Sequence, residues 1–128
     1  MINGLVDTTS IIHLYRRILP AYQWIATQSM PLGVVSTTWF EVLIGAKNKH
    51  QQTACIGILQ QFTRCYLTEA DQDWAITQFQ RFQFSHHIGY NDCLIAAVAY
   101  RLQIPLYTHN LKHMQPLLGA LAIQPYQH

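Results

Sequence analysis

Short apolar, β-branched runs alternate with helically periodic stretches along the whole chain, and this alternation constrains the fold more than any other feature. Strands are expected at Ile2–Val6, Leu32–Ser36, Cys65–Leu67, Leu106–Thr108 and Leu121–Gln124. Between them, apolar residues recur at helical spacing, as Ile11, Leu14 and Ile18 do. Helices are expected at Ser10–Ile18, ended by Pro20, and at Tyr22–Ser29, Thr38–Lys47, Gln52–Phe62, Ala70–Phe84, Asp92–Leu102 and Leu111–Leu118, the last ended by Gly119. Alternation of this kind predicts a layered α/β domain with a mainly parallel sheet. Open parallel sheets bind ligands beyond the carboxyl ends of their strands. Asp7 stands at the tip of the first strand and Asn110 just past the fourth.

The 128 residues suit a single domain, and with 50% hydrophobic and 11% charged residues they are apolar enough for a real core. No linker composition or internal repeat divides the chain, so residues 1–128 are read as one unit. The longest apolar run, Cys93–Tyr100, is far short of the roughly 20 residues that span a bilayer. The opening M-I-N-G-L-V-D has no basic segment followed by an apolar one, which sets the expectation of a cytoplasmic chain. Cys55, Cys65 and Cys93 are odd in number and have no C-x-x-C spacing, so free thiols packed as small hydrophobes are expected. A net charge of +2 permits a nucleic-acid partner without identifying one.

The carboxylates number only six: Asp7, Glu41, Glu69, Asp71, Asp73 and Asp92. Glu69, Asp71 and Asp73 share a polar stretch at a helix start and are read as a solvated face. Asp7, Glu41 and Asp92 are instead embedded in apolar sequence, where carboxylates are rare unless paired, hydrogen-bonded or metal-bound. Each also has a plain structural reading. Asp7 suits a helix N-cap, Thr38 and Glu41 have capping-box spacing, and Asp92 is a helix-opening acid behind Asn91. Asn110 likewise suits a cap. Their joint placement at strand tips and helix starts favours a shared site, and oxygen donors of this type suit Mg²⁺ or Mn²⁺. Such an ion assists phosphodiester hydrolysis by activating water and offsetting charge on the phosphate.

The segments V-D-T-T, W-F-E-V-L-I-G-A and N-D-C-L-I-A-A-V-A, followed by L-Y-T-H-N, resemble a PIN domain. More narrowly they resemble the VapC-type ribonuclease toxins of prokaryotic toxin–antitoxin pairs, over nearly the whole chain. The resemblance implies a three-layer α/β/α domain with about five parallel strands, and Mg²⁺- or Mn²⁺-dependent cleavage of RNA. It implies Asp7 and Asp92 as principal metal ligands, Glu41 completing the acidic cluster, and Thr108 supporting it. Asn110 falls where many members carry aspartate, and His109 where arginine is frequent. A homodimer and a protein antitoxin are implied as well.

The competing readings are a non-catalytic PIN-like module that binds RNA or protein, and an unrelated phosphate-ester hydrolase. The absence of a D-x-D-x-T motif after the first strand counts against the hydrolase. Lys47, Lys49, His50 and Lys112 are candidates for RNA backbone contacts. His13, His109 and His113 are read as surface or core residues, and Trp24, Trp39, Trp74, Phe79 and Phe82 as core or interface residues.

Overall fold

Leu5 and Val6 form strand β1 at the centre of the sheet, and their side chains point to opposite faces as the two-residue period of a strand requires. The computed structural model describes residues 1–128. The remaining elements run α1 (Thr8–Tyr15), α2 (Leu19–Ala26), β2 (Gly33–Val35), α3 (Ser36–Ile44), α4 (Lys49–Leu59), β3 (Thr63–Cys65), α5 (Glu69–His86), α6 (Tyr90–Leu102), β4 (Leu106–Tyr107), α7 (Leu111–Leu118), a 3-10 turn (Gly119–Leu121) and β5 (Ala122–Ile123). The five strands lie in the order β3-β2-β1-β4-β5, and every pairing is parallel. The expected α/β fold with a parallel sheet is the observed one.

Two cores sandwich the sheet. Leu5, Val35 and Leu106 face the layer built from α5, α6 and α7, where Ile95, Ala96, Val98 and Met114 are fully buried. Val6 and Val34 face the layer with α1, α3 and α4, against Ile11, Val42, Cys55 and Leu59. Helix α6 is apolar on nearly every side because it lies at the centre of the first layer: Cys93 and Ile95 through Ala99 are all buried. The three cysteines are free thiols, as expected.

Several boundaries differ from the sequence reading. Four strands shorten to two or three residues, and the third lies at Thr63–Cys65 instead of Cys65–Leu67, where it pairs in register with Gly33–Val35. Helix α1 stops at Tyr15, and Arg17 takes a left-handed conformation at φ 58°. Pro20 therefore does not end a helix. It sits in the first turn of α2, where a missing N–H costs nothing. Asp71 also departs from its expected solvated place. It is buried, receives the Thr68 backbone N–H at 2.9 Å in a capping box, and accepts Arg101 Nε at 2.9 and 3.1 Å.

Candidate active site

Asp7 follows β1 and Thr108 follows β4, the two strands between which the sheet order reverses. This is the switch point where a crevice opens in such sheets. Thr108 Oγ1 donates to Asp7 Oδ2 at 2.7 Å across that point, and both residues are buried. The backbone N–H of Thr8 donates to Asp7 Oδ1 at 2.7 Å, so Asp7 does cap α1. One carboxylate thus serves as cap and as bridge between strand ends, and both of its oxygens are fixed.

Thr8 extends the arrangement to a third element. Its hydroxyl donates to Glu41 Oε1 at 2.8 Å. The capping-box role expected for Glu41 is not observed: α3 starts at Ser36 behind Val35 with no side-chain cap, and Thr38 Oγ1 is buried without a partner. Glu41 is therefore free to project towards Thr8. Asp92 enters from the first turn of α6, which is capped by Gly89 rather than Asn91. Its Oδ2 lies 3.0 Å from His113 Nδ1.

Asn110 occupies the N-cap position of α7, but its side chain makes no capping bond. Its backbone N–H donates to Thr108 Oγ1 at 3.0 Å, and its amide Nδ2 lies 3.1 Å from His113 Nδ1. One ring nitrogen cannot both accept from Asn110 and donate to Asp92. With the amide turned to face the ring with its oxygen, His113 Nδ1–H is shared between the two acceptors.

Burial pushes the Asp7 carboxyl up, and the charge of Asp92 adds to this against the opposing bonds from Thr108 and Thr8. Burial also raises Glu41; its bond from Thr8 opposes this, the charges of Asp7 and Asp92 add to it, and Asn91 draws it down. Asp7 is therefore influenced by the charge of Asp92, and Glu41 by the charges of both. The only arginine or lysine paired with a carboxylate is Arg101, on Asp71, and Asp92 contacts the His113 imidazole, so no lysine or arginine neutralises the three. Each carboxylate is instead turned onto hydroxyl, amide or imidazole donors. The one group of three His, Cys, Asp or Glu ligand atoms within 4.8 Å of one another lies elsewhere, at His13, His109 and His128. Oxygen donors, and burial that disfavours the charged state of Asp7 and Glu41, fit a hard divalent cation.

Thr8 and His113 were not singled out from the sequence as site residues. The signal for His113 is its position three residues after Asn110, which puts both on one face of the α7 start. Thr8 carries no such signal, because a threonine opening a helix is ordinary.

No family model matches the sequence, and neither does any curated protein sequence. Solved structures do match. A chain of a toxin–antitoxin complex from Klebsiella pneumoniae superposes with a TM-score of 0.82 at 23% identity, over 98% of this chain and 99% of that one. VapBC2 from Rickettsia felis, bound to a DNA fragment from its promoter, gives a TM-score of 0.76 at 20% identity, over 96% of each chain. VapC20 from Mycobacterium tuberculosis, described as a sarcin–ricin loop cleaving toxin, gives 0.71 at 14% identity, over 84% of this chain and 90% of that one. These likenesses, with the five parallel strands between two helical layers, show that the chain has the three-layer α/β/α PIN fold of VapC-type proteins.

Proposed function

We propose that this chain is a metal-dependent endoribonuclease, the toxin of a toxin–antitoxin pair, with Asp7, Glu41 and Asp92 holding Mg²⁺ or Mn²⁺. The observation that supports this reading is that Thr8 links Asp7 to Glu41 beside the sheet's switch point, that Asp7 is influenced by the charge of Asp92 and Glu41 by those of both, and that no lysine or arginine pairs with any of the three. An anionic pocket of this kind repels RNA unless a cation is present. When bound, the cation supplies water activation and charge compensation at the phosphate. The chain's own residues supply position. Thr108 and the Thr8 N–H fix both oxygens of Asp7, the Thr8 hydroxyl orients Glu41, and His113 holds Asp92 with Asn110 behind it. Lys47, Lys49, His50 and Lys112 are available to contact the RNA backbone.

The test is cleavage of RNA by purified protein in Mn²⁺. Asp7→Asn and Asp92→Ala are expected to reduce cleavage at least ~100-fold, the scale of losing a group that stabilises transition-state charge, with circular dichroism unchanged. Cleavage at the wild-type rate by both variants would overturn the assignment.

The protein antitoxin, the homodimer and the cytoplasmic location belong to the same proposal. The likeness to toxin–antitoxin structures supports the first. An apolar groove lined by Ala75, Ile76, Phe79, Tyr90 and Leu94 on α5 and α6, with Ile76 and Tyr90 exposed, supports the second. No helix is long and apolar enough to cross a membrane, which is compatible with the third. A non-catalytic binding module is the second reading, favoured by an amide at Asn110 where a fourth carboxylate would strengthen cation binding. Such a module would hold RNA or a protein partner without cutting RNA, and would not bind Mn²⁺ at the acidic site.

A further inference from the structure

Three imidazoles from distant parts of the chain meet on one side of the switch point. His13 lies on α1, His109 directly after β4, and His128 in the segment that follows β5. Their ring centroids are 5.3 Å apart for His13 and His109, 4.4 Å for His13 and His128, and 4.8 Å for His109 and His128. One ligand nitrogen from each lies within 4.8 Å of the others.

Two observations make this more than a crowding of rings. Both ring nitrogens of His109 are buried and have no hydrogen-bond partner. An unsatisfied buried polar group is destabilising, and such a group is a place where a bound partner is expected to engage it. The second observation is a hydrogen-bond relay behind His13. Tyr126 Oη lies 3.2 Å from Ser10 Oγ and 2.7 Å from His13 Nδ1, so the His13 ring is held through that nitrogen. With Tyr126 accepting from Nδ1–H and donating to Ser10, Nε2 is the nitrogen that presents a lone pair. Metal-binding histidines are oriented in the same way, by a partner on the nitrogen that does not ligate.

We propose that His13, His109 and His128 form a Zn²⁺ site, separate from the acidic site, that ties the segment after β5 to α1 and to the loop after β4. Three neutral imidazoles suit a borderline ion such as Zn²⁺ and not Mg²⁺, and they leave a fourth position to solvent. Burial and the charges of its neighbours lower His109 to about 4 and also lower His13, so both carry lone pairs at neutral pH. The site needs no nuclease activity and stands or falls independently of it.

The experiment is a calorimetric Zn²⁺ titration of untagged, chelator-stripped full-length protein, alongside the His128→Ala, Tyr126→Phe and Asp92→Asn variants. His128 is exposed and its truncation leaves the core untouched. One tightly held Zn²⁺ per chain is expected in the wild type and in Asp92→Asn. The affinity should fall on the order of 100-fold in His128→Ala and about 10- to 100-fold in Tyr126→Phe, the range typical of losing a partner behind a ligand. Zn²⁺ should raise the wild-type Tm and leave that of His128→Ala unmoved. Failure of the wild type to bind Zn²⁺, or binding that survives His128→Ala unchanged, would overturn the proposal.

Discussion

Glu41 shows how the site acts on the stability of the protein that contains it. Burial, with the charges of Asp7 and Asp92, raises its carboxyl above the ordinary value of 4.5. A group with a raised folded pKa binds more protons in the native state than in the unfolded one. Stability therefore falls as pH rises through the window between the two values, and the deficit persists at neutral pH. Glu41→Gln keeps an oxygen to accept the Thr8 hydroxyl and removes the charge. It is expected to raise the Tm of the metal-free protein at pH 7, with wild type and variant converging as the pH is lowered below 4.5. Thermal melts across that range test this, and a destabilised variant at pH 7 would contradict it. Asp71 behaves in the opposite sense. Burial raises its carboxyl, but the bonds from Arg101 and Thr68 outweigh burial and hold it below 3.8. Its contribution is present above the unfolded value and lost as the pH falls through the folded one.

The elements are pinned at identifiable points. Arg101 on α6 reaches Asp71 at the start of α5 and so fastens together the two longest helices. Arg101→Ala leaves a buried carboxylate with only its capping bonds. Arg101 is 38% exposed, so solvent screens part of the pair, and the expected cost is about 1–3 kcal/mol by urea denaturation. In β2, Gly33 admits no side chain, since a Cβ there would lie 2.7 Å from Ile2 Cδ1, 2.9 Å from Cys65 Sγ and 3.1 Å from the Thr63 carbonyl oxygen. Gly33→Ala is expected to destabilise by about 1–3 kcal/mol through overpacking, read from the same denaturation curves. A neutral result at either position would mean that the sheet or the helix pair relaxes more readily than its packing implies.

Across the whole molecule, strand–helix alternation is enough to read the layered fold, because the central strands bury opposite faces and the helices flanking them bury apolar residues against the sheet. The helix expected at Asp92–Leu102, observed from Tyr90, is legible from its apolar composition. Element ends are less so: Pro20 reads equally well as a stop and as a start, and α3 and α6 open behind Val35 and Gly89 with no side-chain cap to mark the start. For the candidate site, Asp7, Glu41 and Asp92 stand out in the sequence because apolar surroundings make lone carboxylates conspicuous, and Asn110 because it stands just past a strand. Thr8, His113 and the histidine trio do not, because their contacts join residues distant in sequence. His13 and His128 are separated by nearly the whole chain.

The central claim is that three acids jointly hold a hard cation, and a calorimetric Mn²⁺ titration addresses it most directly. It is best run in the His128→Ala protein, so that the histidine trio does not contribute. Saturable Mn²⁺ binding is expected there, weakened at least ~10-fold when Asp92→Asn is added, as losing one anionic ligand of a hard cation requires. Equal Mn²⁺ affinity with and without the Asp92 carboxylate would contradict the account.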